Sequence, residues 1–361
     1  MKILMFISQL ERGGAERVIS NLANYLSLDN DVTIAVLRKR KIEYEIKDSI
    51  NIVNLEDENI SKKNKIIKNI IRFKNLKKHL MKEKYDIALC FLPSSSFMML
   101  ALKRMMKLKV VVSVRNDPKN ECKSLIYQFL MRTLYPKADG FVFQTEDAKK
   151  YFSEHIQKKS TIILNSLSQN FIIDKPYCGE RKKEIISVGR LANQKNQKLL
   201  IKAFSEIHKK YPDYKLIIYG EGDLKKSLEK LINKLSLNDV VLLPGAVKNI
   251  KDEIYDSKIF VLTSKYEGLP NALMEAMALG IPSISTDCPC GGPKAIIRDG
   301  ENGFLINVND KNMLIDRITY LIENEEVYNK ISIEANKIKE LANPEKINLE
   351  WKRYLKKVIE D

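Results

Sequence analysis

Short runs of nearly continuous apolar residues alternate with helical patterns along the whole chain. In the first half KILMFIS (2–8) precedes a helical pattern over Ala15 to Leu26. DVTIAVL (31–37), YDIALCFL (85–92), KVVVSVR (109–115), DGFVFQT (139–145) and STIILN (160–165) follow, with helical stretches between most of them. Strands this apolar are covered on both faces, which calls for a parallel sheet with helices on each side. The periodicity stops in a Pro- and Gly-containing stretch at 174–179. It then resumes with EIISVG (184–189), KLIIYG (215–220), VVLLPG (240–245), KIFVLTS (258–264) and PSISTD (282–287). The pattern predicts an α/β chain of two doubly wound domains, residues 1–174 and 175–344, with a linker at 175–183. A last basic helix over 345–361 carries the only tryptophan, Trp351, and is expected to cross back to the first domain.

Composition narrows the class. Of 361 residues 44% are hydrophobic and 30% charged, a globular balance, and no run of eighteen apolar residues offers a spanning helix. Glu11 and Arg12 interrupt the opening apolar run, which therefore reads as a buried strand rather than a signal peptide. The five cysteines lack metal-ligand spacing, and Cys288-Pro289-Cys290 is too tight for a zinc pair. Free thiols in a reducing cytoplasm are the expectation, with no metal and no cofactor. The acidic Glu56-Asp57-Glu58 lacks metal-site spacing, and His79, His155 and His208 fall outside every motif.

The net charge of +16 is unevenly distributed. Residues 1–178 hold 32 Lys and Arg against 19 Asp and Glu, a net of +13, and the remainder 30 against 27, a net of +3. A partner of the first half is therefore expected to be anionic. Between 60 and 84 there are ten Lys and Arg and one acid, Glu83, interleaved with Ile66, Ile67, Ile70, Ile71, Phe73, Leu76 and Leu80. That composition suits a basic amphipathic helix on an anionic membrane, or an outer helix whose apolar stripe faces the core. A second basic cluster, 97–109, lies in the same domain.

Chemistry concentrates in the second half. Gly189 ends a strand, Arg190 follows, and Lys195-Asn196 opens an amphipathic helix, an arrangement that suits a diphosphate. In SKYEGLPNALMEAMALGIP (264–282), Pro270 and Gly280 bound a helix of about 270–279 whose free amides, near Gly268 to Ala272, face the strand ends; Leu269, Pro270 and Asn271 lie within that stretch. Glu267 stands in the approach loop, and Glu275 lies inside an otherwise apolar helix. A buried carboxylate needs a partner, and a sugar or ribose hydroxyl would supply one.

Gly13-Gly14-Ala15-Glu16, Gly189-Arg190 with Lys195-Asn196, Glu267 and Glu275 with seven residues between them, and GGPKAIIRDGENGFLI (291–306) together resemble the retaining glycosyltransferases of family 4. The resemblance implies a GT-B fold, two Rossmann-like doubly wound parallel-sheet domains facing across a cleft. It implies that Arg190 and Lys195 hold the donor diphosphate, Glu275 the ribose and Glu267 the transferred sugar, with backbone near Val247 along the base. Gly13 and Gly14 would let backbone approach the ligand. Where many members carry a histidine after the strand that ends KVVVSVR, this chain has Arg115-Asn116-Asp117, which also joins the expected donor contacts. Similar loops occur in relatives that build bacterial surface glycans such as capsule, often from N-acetylated hexosamines. The expected reaction moves a sugar, UDP-linked, to a hydroxyl of a glycan or lipid-linked acceptor with retention, at the inner face of the cell membrane. A sugar nucleotide epimerase would share the donor site but need no acceptor. Nucleic acid is not an expected partner, since the basic residues lack interleaved aromatics and any binding motif.

Overall fold

A computed structural model of the chain describes residues 1–11, 13–56, 60 and 63–361; Arg12, Asp57, Glu58 and Lys62 lie outside the described residues. The chain forms two compact units, Met1–Ser166 with Glu345–Asp361, and Leu167–Pro344.

The first unit is built on a seven-stranded sheet of β1 (Lys2–Ile7), β2 (Asp31–Val36), β3 (Asn51–Asn54), β4 (Ile87–Phe91), β5 (Lys109–Ser113), β6 (Gly140–Phe143) and β7 (Ser160–Ile162). The order is β3-β2-β1-β4-β5-β6-β7 and every pairing is parallel. The sequence order of the strands reverses between β1 and β4, the switch point at which such sheets bind ligands. Helices Gly14–Leu26 and Pro344–Glu360 share one core with Ile3, Met5, Ile7, Leu89 and Phe91 of the sheet. Trp351 stacks on Phe91 with centroids 6.1 Å apart. The Tyr354 hydroxyl accepts from the Phe141 amide at 2.9 Å and donates to the Lys159 carbonyl at 2.8 Å. Gly140 makes room for it, because a Cβ there would lie 2.6 Å from the phenol oxygen.

The second unit carries a six-stranded sheet of β8 (Lys182–Val188), β9 (Lys215–Tyr219), β10 (Val241–Gly245), β11 (Ser257–Leu262), β12 (Ser283–Thr286) and β13 (Phe304–Ile306). Its order is β10-β9-β8-β11-β12-β13, again all parallel, with the switch point between β8 and β11.

Two features depart from the sequence expectation. The units part after Ser166 rather than at 174, because 167–174 is tied to the second unit: the Leu167 amide donates to the Ala342 carbonyl at 3.0 Å, and Lys339 Nζ to the carbonyls of Ile173 and Asp174 at 2.8 and 2.6 Å. The expected linker at 175–183 runs into β8. The edge strands β3 and β13 are additional, being only four and three residues long.

Candidate functional site

The loops leaving β8 and β11 meet at the switch point of the second sheet. Lys195 Nζ donates to Glu267 Oε1 at 2.5 Å, and the two side chains are 19% and 8% exposed. Ser264 Oγ donates to the same oxygen at 2.6 Å. Both contacts fall on Oε1, and an ammonium has three donors, so the pair keeps capacity for a further partner. The loops are cross-linked around it. The Lys265 amide donates to the Gln194 carbonyl at 2.8 Å, Gln194 Nε2 to the Tyr266 carbonyl at 2.9 Å, and Thr263 Oγ1 to the Lys195 carbonyl at 3.0 Å.

A third loop closes on Glu267 from behind. Its amide donates to the Pro289 carbonyl at 2.7 Å, and its carbonyl accepts from the Cys290 amide at 3.0 Å. Gly292 makes this possible, since a Cβ there would lie 1.5 Å from the Gly268 carbonyl oxygen. Cys288 is buried in the same loop, and burial together with the Glu267 charge pushes its thiol up to about 12. It is an inert packing group rather than a nucleophile.

Glu275 sits on the helix Asn271–Ala278, in which Leu273 to Ala278 are all buried, and is itself 4% exposed. The carboxyl end of this helix is held by three side chains. Arg181 donates to the Leu279 and Gly280 carbonyls at 3.3 and 3.1 Å, Ser332 to Gly280 at 2.5 Å, and Asn336 to Ala278 at 2.5 Å. At the amino end Pro270 is the cap and supplies no side-chain hydrogen bond. The helix therefore begins one residue later than its proline pattern predicts. Gly268, Leu269 and Pro270 are buried beside it, and Asn271 and Ala272 half-buried. A helix whose amino end carries no side-chain bond from its cap residue presents its dipole to an anion there.

Arg190 is exposed directly after β8, and its carbonyl accepts from Gln197 Nε2 at 2.8 Å. Gly189 lies against the Gly220 turn, where a Cβ would stand 2.1 Å from the Gly189 carbonyl oxygen. Val247 is half-buried beyond β10. Arg190, Lys195, Glu267, Glu275 and the helix amides thus all lie on the carboxyl side of the second sheet.

In the first unit two expected contacts look different. Gly13 caps the helix Gly14–Leu26, but its amide donates to the Tyr44 hydroxyl at 2.9 Å and its carbonyl accepts from that hydroxyl at 2.8 Å. Arg115 is only 8% exposed. Its guanidinium donates to Asn165 and, at 3.4 Å, to Ser113, and lies over the rings of Phe91 and Trp351 at 5.6 and 6.0 Å. Burial pulls it down to about 9, so it stays a cation at neutral pH. Following a strand buried from Val110 to Ser113, Arg115 continues the core and clamps the returning helix rather than lying exposed. Asn116 is half-buried and its Oδ1 accepts from the Asp117 amide at 2.9 Å.

Sequence reasoning passed over Ser264, Gln194, Gly292 and Tyr44. Ser264 and Gly292 stand inside motifs already quoted. Gln194 and Tyr44 carry no signal that distinguishes them from loop residues.

Comparison with known proteins decides the family. Residues 12–168 match the family described as Glycosyltransferase Family 4 and residues 168–338 the one described as Glycosyl transferases group 1. A Campylobacter jejuni protein, N-acetylgalactosamine-N,N'-diacetylbacillosaminyl-diphospho-undecaprenol 4-alpha-N-acetylgalactosaminyltransferase, is 32% identical over 345 residues, which cover 90% of this chain and 91% of that protein. The chain belongs to glycosyltransferase family 4. A second Campylobacter jejuni relative of this glycosyltransferase is a GalNAc-alpha-(1->4)-GalNAc-alpha-(1->3)-diNAcBac-PP-undecaprenol alpha-1,4-N-acetyl-D-galactosaminyltransferase, 28% identical over 331 residues and 90% of each chain. Among solved structures, Anabaena HepE in complex with UDP and glucose superposes with a TM-score of 0.85 at 16% identity, covering 99% of this chain and 100% of that one. That likeness gives the glycosyltransferase its GT-B fold.

Proposed function

We propose that this glycosyltransferase moves an N-acetylhexosamine from its UDP-linked donor to a hydroxyl of a lipid-linked glycan acceptor, with retention, in bacterial surface glycan synthesis. The observation that carries the reading is the Lys195–Glu267–Ser264 cluster between the ends of β8 and β11. The two Campylobacter jejuni relatives, named for N-acetylgalactosamine transfer to undecaprenyl-diphosphate-linked sugars, support the donor and acceptor classes. Crystallised complexes of HepE with UDP support the base. The first unit would meet an anionic membrane peripherally, on the cytoplasmic side.

In this reading the acceptor oxygen bonds to the anomeric carbon as the carbon–oxygen bond to the β-phosphate breaks, and the electron pair leaves with UDP. Arg190, Lys195 and the amides at the start of Asn271–Ala278 stabilise the developing charge. The departing phosphate oxygen takes the acceptor's proton on the same face. Glu267 Oε2 accepts from a sugar hydroxyl, Glu275 from the ribose diol, and backbone at Val247 lies along uracil.

A thermal-shift panel tests it. UDP and the UDP-N-acetylhexosamines should raise the melting temperature and GDP should not, since a ligand that binds only the folded state stabilises it by mass action. A response to GDP alone would remove the donor assignment. Turnover of the donor without any acceptor, to an epimer, would favour the epimerase reading.

A further inference from the structure

The basic excess of the first half is confined to one run of the chain. Residues 63–137 hold 18 Lys and Arg against 4 Asp and Glu, while the rest of 1–178 holds 14 against 15. Apart from Arg72 and Arg115, every one of those cations lies at or near the surface. The sheet topology collects them. The connections β3→β4, β4→β5 and β5→β6 all run the same way across the sheet, and right-handed crossovers put all three on one face. The opposite face is covered by Gly14–Leu26 and Pro344–Glu360.

This basic face also exposes large apolar side chains. The helix Leu125–Leu134 buries only Met131 among its ten residues and leaves Leu125, Ile126 and Phe129 81%, 70% and 65% exposed. It packs on the helix Pro93–Leu102 through Tyr127, whose ring meets Phe97 edge-on at 5.4 Å and whose hydroxyl lies 3.1 Å from Ser94. Ser94 lies in the first turn of the helix that follows β4, so the exposed triplet stands at the carboxyl end of the sheet. The helix Lys65–Lys82 repeats the arrangement. Its buried residues are Arg72, Leu76 and Leu80, with Ile66, Ile67 and Ile70 exposed in its first turns, and Lys74, Lys77, Lys78 and Lys82 ring Met81 further along. The core-facing account of the isoleucines at 66, 67 and 70 therefore fails. An apolar edge backed by lysines on one face matches a bilayer, with hydrocarbon below the headgroups and anionic charge at their level.

We infer that the face formed by Lys65–Lys82 and Leu125–Leu134 docks on an anionic bilayer, with Leu125, Ile126 and Phe129 inserted below the headgroups and the lysines of the first helix, with Lys123 and Arg132, at their level. The inference rests on the lipid-linked acceptor of the proposed function, and it places the carboxyl end of the first sheet, with Gly13 and Asn116, at the membrane.

Flotation of the full chain tests it, using vesicles of phosphatidylcholine alone and vesicles in which roughly a quarter of the lipid is phosphatidylglycerol. Wild type should float only with the second, and high salt should weaken it. The combined Leu125→Ser, Ile126→Ser, Phe129→Ser variant should keep the wild-type melting temperature, its side chains being exposed, and lose flotation by about tenfold or more. Replacing Lys74, Lys78, Lys123 and Arg132 by Gln should do the same. Flotation of the serine variant at the wild-type level would overturn insertion. So would a wild-type dimer by light scattering that the serine variant converts to monomer, because a second copy would then cover the patch. The UDP thermal shift is measured on the same samples. A retained shift without flotation overturns the docking face and leaves the transferase reading standing; flotation without any shift does the reverse.

Discussion

Replacing Lys195 by Ala removes two effects of different size, and the structure allows them to be separated. The first is the ion pair. Breaking a buried pair by deleting one partner costs about 3–5 kcal/mol, because the other charge stays buried and uncompensated. Lys195 is 19% exposed and Ser264 still donates to Glu267 Oε1, so the cost here is discounted to about 2 kcal/mol. At about 2–4 °C per kcal/mol for a unit of this length, the melting temperature should fall by about 4–8 °C. The second effect is the loss of a cation from the developing diphosphate charge, about 2–4 kcal/mol, or roughly 30- to 900-fold in kcat.

The double variant Lys195→Ala, Glu267→Gln distinguishes them. Neutralising Glu267 removes the stranded charge, so most of the lost stability should return while turnover stays low. The measurements are thermal melts and initial rates of transfer from the UDP-sugar, taken well below both melting temperatures. A Lys195→Ala rate within about threefold of wild type would refute the cation's role in transfer. Recovery of rate along with stability in the double variant would show that Lys195 serves only to balance Glu267.

Three further outcomes follow from the geometry. Gly292→Ala drives a Cβ into the Gly268 carbonyl, 1.5 Å away, so it should cost about 3 kcal/mol and displace the Glu267 loop, read as a lower melting temperature with turnover down more than UDP binding. Glu275→Gln should abolish most of the UDP thermal shift; an unchanged shift would remove the ribose assignment. Burial, with Asp117 nearby, pushes Glu121 up to about 7 from 4.5. A raised carboxyl stabilises the fold fully below the unfolded value and loses that contribution as pH rises through the folded one, so Glu121→Gln should flatten the decline in melting temperature between about pH 5 and pH 8. Parallel profiles for wild type and variant would show that Glu121 does not titrate in that window.

The fold was legible because parallel strands buried on both faces leave an unbroken apolar run, and eleven such runs became strands of the two sheets. The two that escaped, β3 and β13, are edge strands of four and three residues. The unit boundary escaped as well. Residues 167–174 look like the tail of the first domain, yet hydrogen bonds from Leu167 and Lys339 hold them to the second, and a bond between residues so far apart leaves no trace in local composition.

The site divides along the same line. Glu267, Lys195 and Arg190 could be picked out because a charge beside a strand end is conspicuous in an apolar neighbourhood. What orients them was not conspicuous: Ser264 is one serine among many, and the role of Gly292 appears only when the Gly268 carbonyl is brought against it. Arg115 is the mixed case. The resemblance makes it a donor contact, while the packing of Phe91, Trp351 and Asn165 around its guanidinium also makes it a clamp on the returning helix. One signal serves both cases, and it is decided by whether the helix covering the strand end comes from nearby in sequence or, as with Pro344–Glu360, from the far end of the chain. Arg115→Met separates the two roles: losing the hydrogen bonds to Asn165 and Ser113 should lower the melting temperature, and an unchanged UDP thermal shift would show that Arg115 does not contact the donor.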